Sequence, residues 1–251
     1  MIILKILKYK KQRNGKYKIF LDNDTDLLLY EDTILKYKLL LKGEIESNDL
    51  KKITDFNFEC DVYYVALKSL KNRFRSIKEL RDNLIKKEYP IDLVDISIER
   101  LKTEKYLDDR LFTKSYISNQ MITTNRGPKK ISSELLKKGV SKDIIDEEID
   151  AFNEEEQINK IDKIINKLIK SNRSRGGVVL KNKITTDLVN LGYDISVIDK
   201  VISNYDFKVD KDIYKKEYDK LYKRLSKKYS DKELEYKIKE KLFQKGLLYK
   251  D

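Results

Sequence analysis

The sequence predicts a mainly α fold: tandem three-helix repeats forming an elongated curved array, preceded by a small N-terminal β-sheet. A pattern of one apolar residue, a second four places on and a turn residue four places later appears at Ile131/Leu135/Gly139, Ile184/Leu188/Gly192 and Ile238/Leu242/Gly246, with an earlier copy at Leu80/Leu84/Glu88. The turn positions step by roughly fifty residues, the mark of one structural unit copied in tandem. Ahead of the first copy, β-prone runs flank Asn14-Gly15, the strongest short hairpin signal.

Taken in order, Ile2 to Tyr9 and Lys16 to Leu21 read as the hairpin strands and Leu27 to Tyr30 as a third. Glu31 to Leu41 reads as a helix ending near Gly43, and Ser47 to Ile53 as a short second helix. The array starts near Phe58. Two apolar residues four apart share a helix face, so each unit holds a middle helix ending at Leu84, Leu135 or Leu188. A last helix carries Leu93/Val94/Ile98, Ile144/Ile145/Ile149 or Val197/Ile198/Ile202. A first helix precedes them at Cys60 to Asn72, Asp108 to Thr123, Glu154 to Ser171 and Ile213 to Lys228, the third with an apolar stripe of Ile158, Ile161, Ile165, Leu168 and Ile169. The expected division is residues 1–57, then repeats at 58–101, 102–152 and 153–206, then an incomplete repeat at 207–251 that reads as a terminal cap.

The ends of the helices are marked as well. Gly after the middle helix takes the left-handed conformation without a side-chain clash, and Ser141 or Asp194 two residues on is placed to cap the next helix. Ser76 with Glu79 and Ser230 with Glu233 fit the capping box, and Pro128 suits a first helical turn. Glu88 departs from the pattern. A left-handed Glu costs about 1 kcal/mol, so the turn at Lys87, Glu88, Tyr89 and Pro90 is expected to take another shape.

A chain of 251 residues with 40% hydrophobic content buries a substantial core. With no histidine and one cysteine, Cys60, it lacks an internal disulfide and the usual zinc or haem ligands, so no cofactor or metal is expected. No apolar run is long enough to span a membrane and Met1 to Leu7 carries no cleavage-like site, which leads to the expectation of a cytoplasmic, monomeric protein. There is no Gly-rich phosphate loop, since Arg175-Gly176-Gly177 lacks the strand and the Lys-Ser/Thr of a P-loop. Asp108-Asp109 is a paired-carboxylate site, but it stands at a helix start, where acids cap, and a nuclease metal site needs more clustered ligands. The expected protein is not an enzyme. The tyrosines at helical spacing, Tyr63, Tyr64, Tyr116, Tyr214, Tyr218 and Tyr222, suit core packing better than base stacking.

Lys and Arg number 55 against 43 Asp and Glu, a net charge of +12 that favours an acidic partner such as single- or double-stranded DNA. Lysine-rich composition alone gives the same total, so position decides. The junction between first and middle helices is basic in each unit: Arg73 and Arg75; Arg126, Lys129 and Lys130; Arg173, Arg175, Lys181 and Lys183; and Lys227 and Lys228. Cations near helix C-termini also complement the helix dipole. The recurrence favours a binding stripe, with the first nine of these residues as contacts. The last helices are acidic, at Asp92 and Asp95, at Asp143, Asp146, Glu147 and Glu148, and at Asp194 and Asp199, which argues against a recognition helix in a DNA groove.

Between Tyr64 and Ile149 the chain carries Ala66-Leu67-Lys68-Ser69-Leu70, Arg75-Ser76-Ile77-Lys78-Glu79-Leu80-Arg81, Tyr106-Leu107-Asp108-Asp109-Arg110-Leu111-Phe112, Gly127-Pro128-Lys129-Lys130-Ile131 and Glu134-Leu135-Leu136-Lys137-Lys138-Gly139-Val140. On these linked motifs the chain resembles the RecX family of regulators of the RecA recombinase. The resemblance implies a tandem three-helix array that lies in the helical groove of the RecA filament on DNA and inhibits strand exchange and ATP hydrolysis or promotes disassembly. A general nucleic-acid-binding protein, acting by competition for DNA, is the other reading of the same charge.

Overall fold

A computed structural model of the chain describes residues 2–172, 174–209 and 211–248. It divides into two compact units, Met1–Phe112 with Lys138–Val140, and Thr113–Lys137 with Ser141–Asp251. Among the described residues, no helix is long and apolar enough to cross a membrane.

The first unit begins with four antiparallel strands in the order β3-β2-β1-β4: β1 (Ile3–Lys11), β2 (Tyr17–Leu21), β3 (Asp26–Leu29) and β4 (Glu44–Glu46). The turn forms at Asn14-Gly15 as expected, with Gly15 at φ +82°. β4 has no sequence signal: three residues, two of them Glu, join the sheet because Ile45 is buried beside Leu4. The expected helix from Glu31 to Leu41 is broken into α1 (Glu31–Lys36) and α2 (Leu39–Lys42) by Lys38 at φ +53°. At about 100° per residue, Ile34 and Leu39 would face different ways on one helix. The break lets both enter the core of the sheet.

The largest correction lies in α3 (Ser47–Asn72), one helix of 26 residues where two were expected. The gap expected between Ile53 and Cys60 is helical, and polar groups in and beside it are tied to the sheet and the first bundle. Asn57 accepts the Tyr30 N–H at 2.8 Å and donates to the Leu28 carbonyl at 3.1 Å. Asp61 accepts Lys16 Nζ and the Tyr30 hydroxyl at 2.8 Å each and the Tyr89 hydroxyl at 3.0 Å. One rod thereby serves two cores, Ile53 in that of the sheet and Val62 and Ala66 in that of the first three-helix bundle. The bundle is completed by α4 (Ile77–Ile85) and α5 (Ile91–Thr103), whose Leu80, Leu84, Val94, Ile98 and Leu101 are buried. The N-terminal end of α6 (Asp109–Thr123) follows.

In the second unit, the rest of α6 is followed by α7 (Pro128–Lys137) and α8 (Lys142–Ile149), then α9 (Glu154–Ser171), α10 (Gly177–Asn190) and α11 (Ile195–Ile202), then α12 (Lys211–Leu225) and α13 (Asp231–Gln244). α9 covers the predicted helix, and its Ile161 and Ile165 are buried. Caps are mixed. Ser76 forms the full capping box with Glu79, and the Asp194 carboxylate accepts the Ser196 N–H at 3.1 Å. Ser141 and Ser230 stand at N-caps without a side-chain cap bond, against expectation, and Asp231 after Ser230 is left-handed at φ +46°.

The repeated turn proves to be a joint. Gly192 sits at φ +94°, and a Cβ there would lie 2.5 Å from the backbone N of Lys130. Lys129 N–H donates to the Gly192 carbonyl at 3.0 Å and Gly127 N–H to the Leu191 carbonyl at 2.7 Å. Carbonyls left over at one middle helix's C-terminal end therefore satisfy N–H groups left over at another's start. The arrangement recurs where Gly176 N–H donates to the Lys245 carbonyl at 3.0 Å, and where the Ser76 hydroxyl donates to the Lys138 carbonyl at 2.6 Å beside Gly139. Glu88 corrects the expectation for copy one: it adopts the same left-handed turn, at φ +65°. Its side chain is exposed and carries only the conformational cost, because no earlier repeat supplies a helix start to pack against it.

Candidate nucleic-acid and partner interface

The basic junctions are built around these joints. In the first unit, Arg73 and Arg75 follow the end of α3 and face the capping box of α4. Glu79 gathers three contacts there: Lys138 Nζ at 2.7 Å, Arg73 Nη1 at 3.6 Å and the Ser76 N–H at 3.4 Å. Burial pushes its carboxyl up, but the Lys138 hydrogen bond and the charges of Lys138 and Arg73 outweigh this and hold it below its ordinary value. Burial, and then the neighbouring Arg73 charge, lowers the pKa of Arg75, whose Nε reaches the Ser69 carbonyl at 3.5 Å.

In the second unit, Arg126 donates from Nη1 to Gln120 Oε1 at 2.7 Å and to Glu134 Oε2 at 3.0 Å. Lys129 pairs with Asp194 at 2.5 Å across the Gly192 joint, and Lys130 reaches the Asn190 carbonyl at 3.4 Å. The Lys129 hydrogen bond, helped by Ser196, holds the Asp194 carboxyl down at about 2. Lys183 pairs with Asp187 at 2.9 Å. Arg175 and Lys181 are exposed and have no ion pair among the described residues. Arg173 lies outside the described residues.

Four of the predicted contacts, Arg73, Arg126, Lys129 and Lys183, are thus tied to carboxylates, whereas Arg75, Lys130, Arg175 and Lys181 are not. Ion pairs this exposed are worth roughly 0.2–1 kcal/mol, little enough to be exchanged for a phosphate or a partner's carboxylate. Three of these partners are close in sequence, Glu79, Glu134 and the i,i+4 Asp187, whereas Asp194 meets Lys129 only through the fold.

Asp108 and Asp109 separate into two structural roles. Asp108 Oδ1 accepts the Arg110 and Leu111 N–H groups at 2.7 and 3.2 Å, capping α6. Asp109 Oδ1 accepts the Ile77 N–H at 2.9 Å at the start of α4, and burial raises its pKa. No group of three or more potential metal ligands occurs among the described residues. Of the tyrosines, Tyr63 is buried and Tyr64 stacks on Tyr30 at 4.5 Å, while Tyr222 is half exposed at the end of a ladder with Tyr218 and Tyr214.

Comparison with known proteins places the chain. Residues 63–101 match the first three-helix domain of RecX, and residues 108–148 match the second. Regulatory protein RecX of Bacillus subtilis is 30% identical over 241 residues, covering 94% of this chain and 91% of its own. That of Oceanobacillus iheyensis is 30% identical over 256 residues, covering 98% and 94%. The crystal structure of RecX from Lactobacillus salivarius superposes with a TM-score of 0.56 at 26% identity, over 59% of this chain and 96% of that one. Another RecX crystal structure shares the fold, with a TM-score of 0.70 at 24% identity, over 80% of this chain and the whole of that one. On its sequence relatives and its paired three-helix domains, the chain belongs to the RecX family of regulatory proteins.

Proposed function

We propose that the chain is a non-catalytic regulator of homologous recombination and DNA repair that binds in the groove of the RecA–DNA filament and lowers its ATP hydrolysis and strand exchange. Membership of the RecX family is the observation that carries this reading. The repeats at 58–101, 102–152 and 153–206, with the shorter one at 207–251, supply the contacts. Many weak contacts along one chain add up through effective concentration. Arg73, Arg75, Arg126, Lys129, Lys130, Arg173, Arg175, Lys181 and Lys183 are the proposed contacts, acting from a cytoplasmic monomer without cofactor. Reversing the charge of Arg126, Lys129 and Lys130 together is expected to weaken co-sedimentation with RecA filaments at least about tenfold, the loss of roughly 1.4 kcal/mol. Unchanged co-sedimentation would remove these residues from the interface.

A second reading is favoured by the exposed cations without carboxylate partners: general nucleic-acid binding that displaces the recombinase by competition. A salt titration of DNA binding without RecA separates the two. Tight, steeply salt-dependent binding supports competition, and weak binding beside strong filament binding contradicts it.

A further inference from the structure

We propose that the β1–β2 hairpin, together with the adjoining edge of α3, is a nucleic-acid-binding surface that grips the phosphate backbone. The inference stands apart from the recombinase reading and gives the N-terminal sheet a role that the helix-junction clusters do not fill.

Charge density sets this segment apart from the chain. Residues 8–18 hold six cations, Lys8, Lys10, Lys11, Arg13, Lys16 and Lys18, and no acid, in a protein whose overall proportion is 55 to 43. Compositional bias alone would have placed acids among them. Geometry then sorts the cations. Beyond the irregularity between Ile6 and Lys8, Lys8 lies opposite Phe20 and Lys10 opposite Lys18, on the face turned away from buried Ile19. Lys8 and Lys18 hold their ammonium groups 4.6 and 5.1 Å from the centre of the Phe20 ring. Tyr9 and Lys11 lie on the other face of the ribbon, where Tyr9 is 55% exposed.

Like charges directly across a sheet destabilise it. Lys18 is relieved by Asp26 at 3.1 Å, and Lys16 by Asp61 at 2.8 Å. Lys8, Lys10, Lys11 and Arg13 are exposed and have no ion pair among the described residues, so their charge faces solvent. Cations continue beyond the hairpin tip. A groove of about 400 Å³ between the turn and α3 is lined by Asn14, Lys16, Tyr64, Lys68 and Lys71, and the last two are exposed without an ion pair.

β3 covers the far edge of β2 and Ile19 is buried beneath, so the cations lie on the outward face and along the β1 edge, a one-sided surface that suits the regularly spaced phosphates of a polyanion laid across it. Exposed Tyr9 among these cations also suits stacking with the bases of an unpaired strand.

The test uses the full chain and no recombinase, so its failure leaves the proposed function untouched. Fluorescence anisotropy is followed with a labelled oligothymidine and a labelled mixed-sequence duplex across a salt series. The variant Lys8→Gln/Lys10→Gln/Arg13→Gln is expected to bind at least about tenfold more weakly near physiological salt, with a log–log salt slope shallower by about three. Lys68→Gln/Lys71→Gln, on a different element, is expected to lower the slope by about two. A loss with either probe supports the proposal, and the probe that shows it identifies duplex or single strand as the ligand. Slopes unchanged in both variants, absence of binding by the parent at low salt, or equally effective competition by polyglutamate would overturn the proposal. Far-UV circular dichroism and melting identical to the parent establish that a weakened variant is folded.

Discussion

Gly192 and Glu88 hold the same place in their repeats and the same left-handed backbone, at φ +94° and +65°, but not the same surroundings. A Cβ at Gly192 meets the backbone of Lys130, whereas the Glu88 side chain is exposed. Gly192→Ala is therefore expected to cost at least about 2 kcal/mol in urea unfolding, the left-handed penalty plus the clash. Glu88→Gly relieves conformational cost alone and is expected to be neutral or stabilising by up to about 1 kcal/mol. Equal and opposite effects at the two sites would mean that the joint adds nothing to the turn. Across the same joint, the depressed carboxyl of Asp194 makes stability pH-dependent. Because its value is lowered from 3.8 to about 2, its contribution is complete above the unfolded value and is lost as pH falls through the folded one. Asp194→Asn is expected to flatten the acid limb of the melting curve between these values; superimposable limbs would show that the Lys129–Asp194 pair is decorative.

At the level of elements, periodicity made the repeat helices legible, since helical spacing of apolar residues reports burial of one face directly. Where polar residues are satisfied inside the fold, the same signal misleads. The stretch between Ile53 and Cys60 reads as a break that includes polar Asn57, yet Asn57 is spent on the sheet. The Lys38 break was hidden for the converse reason, as Leu39 to Leu41 continue a helical sequence that the core of the sheet then bends. The continuity of α3 is directly testable at Asp55, which is exposed within it. Asp55→Pro is expected to cost about 3 kcal/mol or more in urea unfolding, against about 0.5 kcal/mol or less for Asp55→Ala. Similar costs for both would mean that two helices meet near this residue.

For the whole molecule, the net charge of +12 showed that an acidic partner was plausible and nothing about where it binds. Half of the candidate contacts among the described residues turned out to be paired with acids, three of them with acids close in sequence and one, Lys129 with Asp194, across the Gly192 joint. Only the last follows from tertiary packing without a local pattern. What the sequence did carry was the family, through linked motifs in the first two repeats, and with it the central claim that this chain acts on the recombinase filament. RecA's DNA-dependent ATP hydrolysis, measured on preformed filaments with increasing amounts of the purified chain, tests that claim most directly. The account predicts a saturable fall in rate at ratios well below one chain per RecA protomer; an unchanged rate up to equimolar chain would contradict it.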